Sequence, residues 1–106
     1  MKRGDLVTVV VSGDYGKPRP ALVVQSDAFD QHPSVIVLPL TSELHDTPLF
    51  RVHVPAGRST GLRKPSQIMV DKATAVPRVK LGARIGQVDR ATMRAVDEAL
   101  RGFLGL

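Results

Sequence analysis

The sequence has 106 residues, 42% of them hydrophobic, which is enough for one core and too short for two domains. No apolar run approaches the ~20 residues that cross a membrane, and the first residues lack a signal-type apolar stretch, so we expect a cytoplasmic protein. Because the chain has no cysteine, it has no disulfide, no thiolate nucleophile and no cysteine metal site. Lysine and arginine number 15 against 10 acidic residues. The charge of +5 favours nucleic acid or an acidic protein as partner, although a plain basic surface has the same composition.

The first two predicted strands flank a glycine-bearing loop. Residues Leu6–Val11 are rich in β-branched side chains and predict the first strand. The segment Ser12–Pro18 is rich in turn-forming residues. The continuous apolar run Ala21–Val24 is typical of a strand buried on both faces. Arg19 stands just before this run between two prolines, which restrict its backbone. This arrangement either aims a guanidinium at a fixed point or simply begins an edge-protected strand.

The middle of the chain predicts one helical turn and three further strands. Asp27 is a candidate cap for a short turn over residues 28–30. The run Val35–Leu38 is wholly apolar, and we expect Pro39 to end that strand. Residues Phe50–Val54 alternate between apolar and polar, as a half-exposed antiparallel strand does. The segment Gln67–Val76 predicts the next strand.

The chain ends in a small strand and one amphipathic helix. Residues Arg84–Val88 predict the strand, and Asp89 is placed to cap the helix that follows. Val88 and Met93 flank the cap at the spacing of a hydrophobic staple. Four residues at three- and four-residue steps predict an apolar stripe packed on the core: Met93, Val96, Leu100 and Phe103. The elements together predict one mainly β domain over residues 1–106, a small antiparallel β-barrel with a C-terminal helix.

Several short motifs follow one another in a specific order. They are Gly4-Asp5, the run Arg19–Val24, Thr41 after the next strand, Gly61-Leu62, and Ser66 before the segment that carries Asp71. In this order and spacing the chain resembles, from end to end, the MazF/PemK family of toxins. The resemblance implies the SH3-like barrel of CcdB, MazF and Kid toxins. It also implies a homodimeric endoribonuclease that cuts single-stranded RNA without metal or cofactor, leaving a cyclic phosphate and a 5′-hydroxyl, and that is neutralised by an acidic antitoxin.

The resemblance assigns the chemistry to particular residues. In the MazF branch an arginine begins the Arg-Pro strand and a threonine follows the next apolar strand, positions that Arg19 and Thr41 match, with Ser42 beside them. A guanidinium fork suits the oxygens of a phosphorane, and a neighbouring hydroxyl can donate a further bond. The alternative is that Arg19 is a surface cation and that Thr41 and Ser42 cap a turn.

In the Kid/PemK branch the resemblance implies a different acid–base pair. An aspartate on the late strand works there with an arginine two residues before it and with a histidine in the first loop. Asp71 matches the aspartate, but Met69 stands in the arginine's place and the Ser12–Lys17 loop has no histidine. Asp71 is therefore a candidate catalytic residue, and its alternative is a structural ion pair with a nearby arginine or lysine.

Basic residues predict how RNA is bound. Candidates for contact with RNA are Lys17, Tyr15, Arg58, Arg63, Lys64 and Lys72, of which Tyr15 is suited to base stacking. A scattered basic surface is the alternative. The three histidines are too scattered in the sequence to predict a zinc site, and His53 is expected on the exposed face of its strand.

The leading hypothesis is a sequence-specific, metal-independent endoribonuclease toxin in which Arg19 stabilises charge and Thr41 assists it. Two alternatives stay open. One is a CcdB-like gyrase poison without nuclease activity, against which the lack of tryptophan counts because that family ends in a tryptophan-containing signature. The other is a family member that binds RNA or an antitoxin without turnover.

Overall fold

Seven strands, three short 3₁₀ turns and one C-terminal helix make up the part of the chain that this computed structural model describes, residues 1–10 and 17–106. The strands are β1 Asp5–Val10, β2 Pro18–Val23, β3 Ser34–Thr41, β4 Arg51–Val54, β5 Ser66–Met69, β6 Thr74–Pro77 and β7 Leu81–Gln87. The helix is α1, Arg90–Leu104, and the turns are Asp27–Phe29, Val70–Lys72 and Arg78–Lys80. Over these residues, no helix is both long and apolar enough to cross a membrane.

The strands form one antiparallel sheet in the order β4-β5-β3-β2-β1-β7, with β6 also paired to β3. This confirms the prediction of a mainly β domain with one C-terminal helix. The path of paired strands ends at β4 and β7, so within the described ranges the sheet is curved but not closed. The word barrel is therefore an approximate description of this fold.

The central strands bury side chains on both faces, which explains their largely apolar sequences. The exceptions are Ile36 on β3 and Val10 at the end of β1, which are 38% and 53% exposed. Leu6, Leu22 and Leu38 are register partners on β1, β2 and β3 and belong to a core cluster that packs beneath α1 through Val96. The alternate residues of the same strands form a second cluster, packed against β6 and β7: Val7, Val9, Ala21, Val23, Val35 and Val37. The rigid centre of the molecule is thus the β1-β2-β3 set that carries Arg19 and Thr41.

Two predictions about strand ends were wrong, and both concern the outer edge of β3. Pro39 does not end its strand, because β3 runs on to Thr41. On that edge β3 pairs with β6 up to Val37 and with β5 from Leu40. Pro39 stands in the gap, where its missing N–H has no ladder bond to make. The predicted strand Gln67–Val76 is correspondingly split into β5 and β6 by the 3₁₀ turn Val70–Lys72, hereafter the 70–72 turn.

The helix confirms its predicted start, although its predicted end needs correction. The Asp89 carboxylate accepts a 2.8 Å hydrogen bond from the Thr92 backbone N–H, and the hydrogen bonds to Thr92 lower the pKa of Asp89. Val88 and Met93 both join the core cluster. Phe103, expected in the core, is instead 51% exposed and contacts the Phe50 ring with centroids 6.2 Å apart. The whole last turn of α1 is exposed.

Smaller corrections concern caps and ends. The turn at 27–29 is capped by Ser26 rather than Asp27; the Asp27 carboxylate instead accepts a hydrogen bond from the Arg3 backbone N–H. The last strand is longer than predicted and begins at Leu81, because it pairs with β1. The end of the first predicted strand, at Val11, lies outside the described residues.

Candidate active site

A groove of about 580 Å³ lies where β2, the end of β3, β5 and the loop 55–65 meet. Six residues singled out in the sequence line it: Arg19, Thr41, Ser42, Arg63, Lys64 and Lys72. Four of these are cationic, and Glu43 is the acidic residue among the lining side chains. The groove is therefore suited to an anionic chain.

Arg19 enters the groove from the first residues of β2. Among the described strands, residues 18–20 pair with β1, whereas the pairing with β3 begins at Ala21. Prolines on both sides of Arg19 suit this position, since a proline is tolerated where a strand makes no ladder bond through its N–H. The anchor of the guanidinium is thus held by β1, by the proline rings and by the buried strand that follows.

Thr41 is the last residue of β3 and lines the same groove as Arg19, although the two are far apart in the sequence. Its hydroxyl oxygen accepts a 3.1 Å hydrogen bond from the backbone N–H of Glu43. This is the turn-capping bond that the alternative interpretation predicted. Because a hydroxyl that accepts one bond still has its own proton, Thr41 remains able to donate to a phosphate oxygen.

The loop 55–65 brings Arg63 and Lys64 to the groove because it is folded onto β7. The Gln87 N–H donates to the Ser59 carbonyl oxygen at 2.9 Å, and Leu62 is buried in the core. Gly61 has a φ of +74°, and a Cβ there would lie 2.1 Å from the Ile85 carbonyl oxygen. Glycine is therefore required at this close approach. Arg63 and Lys64 consequently come directly after a turn whose backbone is held against β7.

Asp71 is not among the residues that line the groove, and it forms an ion pair. Its carboxylate lies 3.2 Å from the Arg51 Nε, and the two side chains are only 22% and 12% exposed. Arg51 is the register partner of Met69, the residue that stands in the place of the family arginine. Met69 itself lines the groove, whereas Asp71 and Arg51 do not. The structure thus contains the structural ion pair that was the alternative for Asp71.

The remaining predicted residues are not brought to the groove. Lys17 and Arg58 are exposed and lie outside its lining, and Tyr15 lies outside the described residues. His53 is exposed, as predicted. Within residues 1–10 and 17–106, no group of three His, Cys, Asp or Glu side chains is arranged to hold a metal ion.

Sequence reasoning missed several lining residues, among them Glu43, Leu62, Ser66 and Met69. The signal for Glu43 was its position directly after Thr41-Ser42. Ser66 and Leu62 were noticed only as parts of a family motif, and Met69 only as a departure from one.

A second cavity, of about 500 Å³, lies between Arg3-Gly4 and the first turns of α1. It contains none of the predicted site residues. The Arg3 guanidinium and the Asp97 carboxylate on its wall form an ion pair with each other. The two cavities have similar volumes, but the four cations and the hydroxyl groups that line the groove make it the better candidate for binding RNA.

Comparison with known proteins identifies the family of this chain. The family described as PemK-like, MazF-like toxin of type II toxin–antitoxin systems matches residues 2–104. The chain is 44% identical over 107 residues to a probable endoribonuclease MazF of Mycolicibacterium smegmatis, covering 100% of this chain and 98% of the relative. It is 31% identical over 112 residues to the endoribonuclease EndoA of Bacillus subtilis, covering 100% and 96%. A solved mycobacterial endoribonuclease in complex with its cognate antitoxin superposes with a TM-score of 0.82 at 26% identity, covering 100% and 96%. None of these similarities favours the CcdB-like alternative.

Proposed function

The chain belongs to the PemK-like, MazF-like family of type II toxin–antitoxin toxins, and from this premise we propose how its groove cleaves RNA. The protein is an endoribonuclease toxin. Its substrate is single-stranded RNA, which it cuts at specific sequences without a metal ion. The 2′-hydroxyl attacks the adjacent phosphorus, so the products are a 2′,3′-cyclic phosphate and a 5′-hydroxyl. The observation that carries the proposal is that Arg19 and Thr41, distant in sequence, line one cationic groove.

Arg19 stabilises the charge that builds up on the phosphate. A guanidinium presents two parallel N–H donors, matches two phosphate oxygens and keeps its charge at any physiological pH. Such preorganised donors are commonly the largest single contribution to catalysis. Thr41 adds a neutral O–H donor from the opposite strand, and Ser42 supplies a second hydroxyl beside it.

The cations Arg63, Lys64 and Lys72 bind the phosphates that flank the cleaved bond. Each neutralises at most one backbone charge, so binding weakens as salt is raised. Leu62 and Met69 give the same groove apolar surface for bases. Lys17 and Arg58 extend the basic surface beyond the groove and contribute to binding rather than to turnover.

Asp71 acts through structure in this proposal. Its carboxylate is paired with Arg51, and this pair ties the 70–72 turn, which carries Lys72 at the groove, to β4. The Val70 side chain is buried and its N–H donates to the Phe50 carbonyl oxygen at 3.0 Å, which anchors the other side of the turn.

An antitoxin is a partner of this toxin, which acts in the cytoplasm. We expect an acidic segment that folds on binding and occupies the cationic groove, so that it excludes RNA. We also expect a homodimer, because Phe103 and Leu104 in the last turn of α1 and Leu106 after it are exposed by 51%, 58% and 85%. Light scattering coupled to gel filtration measures the oligomeric state directly.

The proposal is tested by incubating the purified protein with varied single-stranded RNAs in EDTA. Wild type is expected to cleave and to leave cyclic phosphate ends. Arg19→Ala is expected to lower the cleavage rate by about 10³-fold and Thr41→Val by about 10²-fold, within the range for lost transition-state donors. Arg58→Ala is the matched control, since it removes an equal charge outside the groove. The absence of cleavage by wild type, or undiminished cleavage by Arg19→Ala, would refute the proposal.

A further inference from the structure

Strand cleavage needs a proton for the 5′ oxygen that leaves, and the groove residues named so far supply it poorly. An arginine does not give up its proton at physiological pH. An imidazole, by contrast, exchanges protons readily near neutrality. One histidine lies beside the groove, next to its acidic residue.

That histidine is His45, in the turn that follows β3. Its Nε2 lies 3.8 Å from the Glu43 Oε1, within ion-pair range. Glu43 lines the groove, and its own backbone N–H is bonded to the Thr41 hydroxyl. The side chains of His45 and Glu43 are 53% and 82% exposed, so both are accessible to a bound RNA.

The backbone of His45 is held from a second direction by Gln67. The Gln67 side chain accepts a 3.0 Å bond from the His45 N–H and donates a 2.7 Å bond to the His45 carbonyl oxygen. Gln67 is also the cross-strand register partner of Thr41. Since such partners have Cβ atoms about 5 Å apart, His45 is kept on the order of 10 Å from Thr41. An RNA nucleotide bound at Thr41 could therefore extend to the His45 side chain.

From this geometry we propose that His45 is the general acid of RNA cleavage and that Glu43 positions it. The inference rests on the proposed nuclease function. In the step, the 2′ oxygen bonds to phosphorus and releases its proton to water. The bond from phosphorus to the 5′ oxygen breaks, and that oxygen takes its proton from the His45 imidazolium. Solvent then returns a proton to the ring.

The charged and titratable groups around His45 come from several elements. Glu43 shares its turn, and His53 on β4 is the register partner of Gln67. The other charged residues lining the groove are Arg19 on β2, Lys72 on the 70–72 turn, and Arg63 and Lys64 in the loop 55–65. Of these charged groups, the Glu43 carboxylate is the one that the structure places in ion-pair range of the ring. The activity of the general acid is therefore expected to depend on Glu43.

The test compares an ordinary RNA with one whose 5′ leaving oxygen is replaced by sulfur at the cleaved bond. A thiolate leaves without a proton, so loss of a general acid slows the first substrate and spares the second. His45→Ala is expected to lower kcat on ordinary RNA by about 10²-fold and to stay within about threefold of wild type on the sulfur-substituted RNA. Glu43→Gln is expected to produce a smaller loss, also rescued by sulfur.

His53→Ala is the matched control, because it removes an exposed imidazole that is not paired with Glu43. Equal losses on both substrates for His45→Ala would indicate a structural role and would overturn the proposal. Unchanged cleavage of ordinary RNA by His45→Ala would overturn it too. If wild type cleaves neither RNA, the nuclease function itself fails, and the two failures are thereby told apart.

Discussion

Breaking the ion pair between Asp71 and Arg51 tests whether Asp71 has a structural or a catalytic role. The perturbation is Asp71→Asn, which keeps the size of the side chain and removes its charge. At a separation of 3.2 Å, the attraction between unit charges is about 5 kcal/mol when the effective dielectric constant is about 20. Desolvation of both groups offsets much of this attraction. Exposed pairs contribute below about 1 kcal/mol, and breaking buried pairs costs about 3–5 kcal/mol.

The two side chains are 22% and 12% exposed, between those limits. We therefore expect Asp71→Asn to lower the free energy of unfolding by about 2 kcal/mol. For a chain of this length that corresponds to a fall in Tm of roughly 10 °C. Cleavage per folded molecule is expected to stay within about threefold of wild type, since a structural role leaves the transition state intact. Urea unfolding followed by circular dichroism, and RNA cleavage at 20 °C, measure the two quantities separately.

Asp97→Asn provides the matched control, because its ion pair with Arg3 is more exposed, at 34% and 33%. We expect that variant to lose less than about 1 kcal/mol. The double variant Arg51→Met, Asp71→Leu is expected to recover much of the stability lost by Asp71→Asn, since apolar side chains fill the same space without unpaired charge. A stable Asp71→Asn protein with cleavage reduced about 10³-fold would show that the carboxylate takes part in the chemistry and that our assignment is wrong.

Three further predictions follow from local geometry. Gly86→Ala would place a Cβ 2.3 Å from the Thr60 carbonyl oxygen, so we expect the free energy of unfolding, measured in urea, to fall by about 2 kcal/mol or more. The control is Gly102→Ala, whose Cβ would meet nothing within 4 Å and which is expected to raise the free energy of unfolding by about 0.5–1 kcal/mol. Equal effects of the two substitutions would contradict this prediction. Asp89→Asn keeps the helix cap and removes its charge. Because hydrogen bonds to Thr92 lower the folded-state pKa of Asp89, the wild-type charge stabilises at neutral pH and this advantage is lost as pH falls through that pKa, below 3.8. Tm measured from pH 7 downwards should show the gap between wild type and variant closing, and a gap that persists in acid would argue against the charge effect. Pro20→Ala frees the backbone beside Arg19 and is expected to lower turnover about threefold or more with Tm little changed; a lower Tm with unchanged turnover would make the proline purely structural.

Much of the fold was predictable because the core strands follow simple patterns. The apolar runs at Ala21–Val24 and Val35–Leu38 correspond to β2 and β3, and the side chains of these runs are buried apart from Ile36 and the half-buried Val24. The alternation from Phe50 to Val54 corresponds to β4, which begins one residue later, and of its two polar residues His53 is exposed whereas Arg51 is drawn into an ion pair. Asp89 caps the helix as its position indicated. What local pattern could not give was the partner of each segment. The edge of β3 changes partner at Pro39, and only that change explains why the segment after Gln67 breaks into two strands.

Only part of the candidate site could be predicted, because contacts between different elements are not visible in the sequence. Arg19 and Thr41 were found through their resemblance to a family motif, and the structure brings both to one groove. The pairing of Asp71 with Arg51 depends on the register of β4 against β5, which no spacing in the sequence reports. The hydrogen bonds from Gln67 to His45 likewise join residues on different elements. Phe103 was misplaced because helical periodicity predicts a stripe but not where the surface beneath that stripe ends.

We expect the pairing of β1 with β7 to decide when a newly made chain becomes able to act. These strands come from opposite ends of the chain, and every lining residue of the groove lies between them in the sequence. During synthesis β1 emerges first and can pair with β2, but its other edge must wait for β7. The contacts between β1 and β7 are therefore among the most non-local in the fold and are slow to form. Until then its free edge is a template for mispairing. We therefore expect a nascent chain that stops before Leu81 to be harmless to RNA, although it already contains Arg19, Thr41 and His45.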